Sequence, residues 1–169
     1  VRKEIQLAGF GGQGIVLSGR ILGEAAILDG LNAVQTQSYG PESRGGAARS
    51  DVIISDQPID YPKVVAPDIL VTLSQPAYDK YRGVVGKKGM LIIDSDMVEC
   101  EEPALRVPFS KLADELGRRI VANVIMLGTL AKATNCVSRD SLERAVLGNI
   151  PKGTEELNRK ALAAGFGNG

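Results

Sequence analysis

Apolar and polar residues along this chain recur with two different periods, and the switch between them marks out its elements. Residues 4–8 form a short apolar run with Ile5 and Leu7, ending at a glycine-rich turn, which predicts a buried strand. From 15 to 28 the apolar residues Leu17, Ile21, Ala25 and Leu28 recur at helical spacing, and Gly30 stands where a helix C-terminus would be capped. "AVQTQSY" (33–39) alternates as a strand does, and "ARSDVIISD" (48–56) predicts a third strand. "DILVTLS" (68–74) and "GMLIID" (89–94) are continuous apolar runs, the pattern of strands covered on both faces. "ALRVPF" (104–109) reads as a shorter strand.

Helices are predicted between and after these strands. Ser74 is placed to cap "QPAYDKY", Ser110 to cap "KLADELG" before Gly117, and Asn123 to cap "VIMLGTLAKAT". In that last helix Val124, Leu127, Leu130 and Ala131 form one stripe. "RDSLERAVLG" and "EELNRKALAAG" complete the chain. Strands alternating with helices predict an α/β fold, a three-layer α/β/α arrangement with a Rossmann-like, mostly parallel sheet. No helix separates the second and third strands, so these two are expected to pair antiparallel and make the sheet mixed. A single domain is expected over residues 1–169.

Composition narrows the chemistry. Basic and acidic residues balance at 20 each, so no excess of positive charge calls for nucleic acid. No apolar run reaches the ~18 residues of a membrane span, and no basic-then-apolar leader is visible, so a cytoplasmic protein is expected. The chain has no histidine, and its two cysteines, Cys100 and Cys136, have no ligand-like spacing. That argues against a metal site and against histidine-based catalysis, and no catalytic residue is assigned. The cysteines are expected as buried thiols.

The turn "GFGGQG" lies between a strand and a helix N-terminus. Gly9, Gly11 and Gly14 have the spacing of a dinucleotide fingerprint. Glycine admits close approach, and the first helical N–H groups are unpaired at the positive end of the dipole, so the turn is a candidate phosphate-binding site. A tight turn that only lets sheet and helix pack is the plain alternative. An NAD site should carry an acid at the end of the second strand. Here "VQTQS" has none before Glu42, and no Gly-Lys-Ser/Thr follows the glycines for a P-loop.

The second unusual stretch is the loop after strand two, with Tyr39, Gly40, Pro41, Glu42, Arg44, Gly45 and Gly46. It is expected at the sheet edge that carries the glycine turn. Tyr39 offers a stacking ring and Arg44 a planar donor fork, while a solvated surface loop explains the same residues. Lys87 and Lys88 in "GKKG" are further phosphate candidates or plain turn residues, and Gly19 and Gly23 are expected to allow a close helix contact.

Together, "GFGGQGI" and "YGPESRGG" resemble the gamma subunit of the 2-oxoacid:ferredoxin oxidoreductases, nearest to the 2-oxoglutarate or branched-chain 2-oxoacid branch. "DILVTLSQPAYDKY", "GMLIIDS" and "NVIMLGTL" continue the resemblance along nearly the whole chain. It implies an accessory subunit of an enzyme that oxidatively decarboxylates a 2-oxoacid, forms an acyl-CoA and passes electrons to ferredoxin. Thiamine diphosphate and the iron–sulfur clusters would sit on alpha, beta or delta partner subunits. Coenzyme A would be shared, with Gly11, Gly12, Gln13 and Gly14 against its phosphates or a neighbouring subunit. Residues 39–46 would face the catalytic subunits. Two other readings stay open: a stand-alone nucleotide-binding oxidoreductase, and a non-catalytic assembly subunit. An apolar surface built for a partner would also let the isolated chain form a homodimer.

Overall fold

The computed structural model describes residues 1–37, 47–86 and 88–169. The loop motif at 39–46 and Lys87 lie outside the described residues. The elements follow in chain order: β1 (Arg2–Gly9), α1 (Ile15–Leu28), β2 (Asn32–Gln37), β3 (Ala48–Ser55), β4 (Ile69–Thr72), α2 (Gln75–Tyr81), β5 (Met90–Asp94), β6 (Leu105–Val107), α3 (Phe109–Glu115), α4 (Ala122–Thr134), α5 (Arg139–Leu147) and α6 (Glu155–Phe166). The six strands form one sheet in the order β2-β3-β1-β4-β5-β6.

The sheet is mixed, as expected, but its order carries information beyond the pairing. β3 pairs antiparallel with both β2 and β1, while β1-β4, β4-β5 and β5-β6 are parallel. β3 therefore sits between β1 and β2. A strand in that interior position is covered on both faces, and apart from half-buried Arg49 every residue of Ala48–Ser55 is buried. β2 takes the edge, with the polar sequence NAVQTQ left half-exposed. β1 is longer than residues 4–8 because β3 pairs with it along its whole length, from Arg2 opposite Ser55 to Gly9 opposite Ala48.

One face of the sheet is packed by α1, α3, α4, α5 and α6. Its core includes Ile5, Leu7, Ile21, Leu22, Val52, Ile92, Phe109, Ile125, Leu127 and Leu162. α4 is buried on every residue from Asn123 to Ala131, so its apolar stripe extends around the helix rather than along one side. α4 and α6 cross at Gly128 and Gly165. A Cβ on Gly128 would lie 2.7 Å from the Leu162 carbonyl oxygen, and one on Gly165 would meet the Ile125 carbonyl. The Thr129 hydroxyl donates to the Gly165 carbonyl across this contact at 2.9 Å. The other face carries a smaller cluster under α2, with Ala8, Leu70, Ala77, Tyr78, Tyr81 and Ile93.

Caps follow the expectation in part. Ser74 caps α2, accepting from the Ala77 N–H at 3.3 Å, and Gly30 and Gly117 take positive φ just beyond α1 and α3. Ser110 does not cap α3: Pro108 holds that position, and the Ser110 hydroxyl donates instead to buried Asp94 at 2.6 Å. Asn123 does not cap α4 either, because Val121 precedes the helix and Asn123 lies in its first turn, buried beside Gly14. On α1, Leu28 is exposed at the helix end, and the buried side runs through Ile15, Ser18, Gly19, Leu22, Ala25 and Ala26. The Gly19–Gly23 pair faces this chain's own sheet: a Cβ on Gly19 would meet the Ser50 hydroxyl of β3. Both cysteines are free; Cys136 is buried, which raises its thiol pKa, and Cys100 is half-buried.

Candidate functional site

β1 ends at Gly9 and the chain turns through a short 3-10 segment, Gly11–Gln13, before Gly14 opens α1. This turn lies at the carboxyl edge of the parallel strands, beside the ends of β4 and β5, where open α/β sheets bind their ligands.

Its four glycines have different reasons. Gly14 has φ +71°, and a Cβ there would lie 2.7 Å from Asn123 Nδ2, so both conformation and space require glycine. Gly9 leaves room for the Gln13 side chain, whose Oε1 a Cβ would meet. Gly11 and Gly12 have no positive φ and no atom within 4 Å of a built Cβ. Nothing inside the described chain asks for glycine at these two positions, and both are exposed. Their backbone is open to a group arriving from outside.

Gln13 points inward and acts as a clamp. Its amide oxygen accepts from the Phe10 N–H at 2.6 Å, and its amide nitrogen donates to the Leu73 carbonyl at 2.9 Å. The side chain therefore ties the turn to the end of β4. Both ends of its amide are engaged within the chain, so Gln13 shapes the turn, and the backbone of Gly11 and Gly12 is left to face outward.

The first intrahelical bond of α1 runs from the Ser18 N–H to the Gly14 carbonyl at 2.9 Å. The N–H groups of Ile15, Val16 and Leu17 thus precede the helical ladder. No acidic residue lies in that first turn to neutralise the positive helix end.

A cavity of about 280 Å³ opens next to the turn, bounded by Gly12, Gln13, Asp94, Ser110, Arg119 and Ile120 among others. Asp94, the last residue of β5, accepts from the Ser110 hydroxyl at 2.6 Å, the Ser110 N–H at 3.2 Å and the Asp96 N–H at 3.0 Å. Burial raises its pKa, and the Ser110 and Asp96 hydrogen bonds offset that only in part. Arg119 holds a two-point pair with Asp114, at 3.0 and 2.5 Å. Ile120 stands 69% exposed on the rim. Among the described residues, no group of three or more His, Cys, Asp or Glu side chains could hold a metal ion. Nor, among the described residues, is any helix long and apolar enough to cross a membrane.

The structure thus brings Gly11, Gly12, Gln13 and Gly14 together on one turn and adds Asp94, Ser110 and Arg119; of these the sequence analysis named only Ser110, as a helix cap. Asp94 had a signal: it is the polar residue that closes a buried apolar strand. Lys88 lies before β5, at the opposite edge of the sheet from the turn, so it is not part of this site. The order of strands also bears on the dinucleotide reading. In that geometry β2 neighbours β1, whereas here β3 intervenes and moves the end of β2 out to about twice the usual strand spacing of ~4.8 Å.

Comparison with known proteins agrees with this plan. The model of the family "Pyruvate ferredoxin/flavodoxin oxidoreductase" matches residues 4–167. The chain is 53% identical to the 2-oxoglutarate synthase subunit KorC of Methanocaldococcus jannaschii, over 98% of this chain and 93% of that one. Its fold superposes on the keto/oxoacid ferredoxin oxidoreductase gamma subunit of Geobacter sulfurreducens with a TM-score of 0.91 and 44% identity, covering 99% and 96% of the two chains. The same fold recurs within a longer chain of the 2-oxoglutarate:ferredoxin oxidoreductase of Magnetococcus marinus, solved with 2-oxoglutarate, coenzyme A and succinyl-CoA. That match has a TM-score of 0.87 at 22% identity and covers 98% of this chain and 30% of that one. The chain belongs to the pyruvate ferredoxin/flavodoxin oxidoreductase family and is built on the plan of its gamma subunits.

Proposed function

We propose that this chain is the gamma subunit of a 2-oxoglutarate:ferredoxin oxidoreductase and that its glycine turn helps to bind coenzyme A against the catalytic subunits. The observation that carries the reading is the outward backbone of Gly11 and Gly12, glycines with no internal reason, set beside the unpaired N–H groups of α1. Such a turn recognises a phosphate by close backbone approach and by the positive end of the helix. The 2-oxoglutarate assignment is supported by the 53% identity to the KorC subunit, and the coenzyme A assignment by the ligand bound to the Magnetococcus enzyme.

In this reading the turn binds and orients the thiol-bearing cofactor, Gln13 holds the turn in register with β4, and Ile120 on the rim excludes water. Alpha and beta subunits, and a delta subunit where present, carry thiamine diphosphate and the iron–sulfur clusters and pass electrons to ferredoxin. Residues 39–46, between β2 and β3 in the sequence, are assigned to contact with those subunits.

The test is a calorimetric titration of the reconstituted complex with coenzyme A. Gly12→Val has space for its side chain in the free chain, so the variant should fold and assemble while binding coenzyme A at least tenfold more weakly. Unchanged affinity would remove the turn from the cofactor site. Failure of the wild-type chain to co-purify with alpha and beta subunits would overturn the subunit reading itself.

A further inference from the structure

Among the described residues, the buried side-chain N and O atoms left without a hydrogen-bond partner are Gln6 Oε1, Arg49 Nε, Thr72 Oγ1 and Tyr81 Oη. They fall on the α2 face of the sheet, opposite the face that α1 covers. In the strand register Gln6 is paired with Asp51, and Ala8 lies between Arg49 and Thr72. The Gln6 amide donates to Asp51 Oδ1 at 3.1 Å. The Arg49 guanidinium lies 5.5 Å from the Tyr81 ring centre, and its Nε is 3.6 Å from Asp51 Oδ1, beyond a hydrogen bond. Buried polar groups ordinarily find partners. Three further orphans accompany the Arg49 Nε on this face, and Arg49 is the one of the four that reaches a pocket.

A pocket of about 310 Å³ opens beside Arg49, which lines it with Thr36, Gln37, Asp51, Lys63 and Val64, while Gln6, Thr72 and Tyr81 lie outside its lining. Asp51 is 6% exposed, a charged side chain buried in the wall. With Arg49 and Lys63 against Asp51 the lining carries a net single positive charge. That balance suits a monoanionic head better than a phosphate dianion. The planar fork of arginine matches a carboxylate in two-point fashion, and Thr36, opposite Asp51 in the strand register, puts its hydroxyl on the same face.

We propose that Arg49 and Lys63 form a carboxylate-binding pocket, separate from the glycine turn and on the α2 face of the sheet. The carboxylate comes either from a small free dicarboxylic acid or from an acidic side chain of a catalytic subunit. The second source rests on the subunit reading above; the first does not.

The test titrates the full-length, isotope-labelled chain with glutarate and, separately, with inorganic phosphate, following the backbone amide resonances of Thr36 and Val64. A saturable response to glutarate, at least tenfold weaker in Arg49→Gln and about threefold weaker in Lys63→Gln, establishes the free acid. Lys63 is exposed, so its variant keeps the test valid if Arg49→Gln does not fold. Without a glutarate response, weakening of assembly with the catalytic subunits by at least threefold in both variants, more so at low salt, assigns the pocket to a partner's acidic side chain. Phosphate binding tighter than glutarate, or neither effect, overturns the proposal. The glutarate titration needs this chain alone, so its failure leaves the coenzyme A reading untouched.

Discussion

The two faces of the sheet are built on different principles. Towards α1, α3, α4, α5 and α6 the strands present Ile5, Leu7, Val52, Val71 and Ile92 to a thick apolar layer, and helices approach closely at glycines. Towards α2 the same strands present Gln6, Asp51, Arg49 and Thr72, with unpartnered atoms under a thinner cover. Adjacent residues of one strand point to opposite faces, so a single strand such as β1 serves both. The first face gains its free energy from apolar burial and tight packing. The second gives up some stability to keep polar groups in place, the usual mark of a surface meant to be completed.

Substitutions on the two faces should therefore differ in size and in sign. The largest loss is expected at the α4–α6 crossing. Gly165→Ala sets a methyl group against the Ile125 backbone, where no flexible side chain can yield. Despite better helix propensity, it should destabilise by roughly 2–3 kcal/mol in urea unfolding. A neutral result would mean that the helices separate freely and that this layer is loose. Gly14→Ala comes next, at roughly 1–2 kcal/mol, because alanine must adopt a left-handed conformation and displace Asn123.

On the α2 face the sign reverses. Tyr81→Phe removes a buried hydroxyl without a partner and should leave stability unchanged or raise it by up to about 1 kcal/mol. A clear loss on thermal unfolding would show that the hydroxyl is hydrogen-bonded in solution and would weaken the contrast between faces.

The smallest loss lies at the seam between helices. Asp29, just beyond α1, accepts from the Ser138 N–H at 2.7 Å and from the Ser138 and Ser141 hydroxyls at 2.6 Å, joining α1 to the start of α5. Burial acts to raise its pKa, but the hydrogen bonds from Ser138 and Ser141 outweigh it and hold the pKa below the ordinary 3.8. A depressed carboxylate pKa adds stability above the unfolded value, and that gain is lost as pH falls through the folded value. Asp29→Ala should thus cost about 1 kcal/mol at neutral pH, a modest amount because the group is largely exposed. The difference from wild type should shrink below pH 3.8. A constant difference across that range would assign the effect to helix packing.

Legibility followed the range of the interactions involved. Ser74, Gly30 and Gly117 were readable because a cap is decided within a few residues of chain. Ser110 and Asn123 have the same residue chemistry, yet their partners are Asp94 from β5 and Gly14 from the glycine turn, far away in sequence. The glycine turn was legible as a turn, but the inward role of Gln13 depends on the Leu73 carbonyl, 60 residues on. Arg49 gave no local sign of its surroundings, since Tyr81 and Asp51 reach it through strand register and helix packing.

The sequence by itself determined the alternation of strands and helices, the glycine turn between β1 and α1, and the antiparallel return of β3 onto β2. Periodicity, backbone freedom and a short connection are local properties, and they suffice for these. Tertiary structure alone decided that β3 enters the sheet between β2 and β1. β1 has a single hydrogen-bonding edge on that side, and the more apolar strand wins it because the interior position buries both of its faces. That one choice moves the end of β2 away from the glycine turn and lines up Gln6, Asp51 and Arg49 on the α2 face.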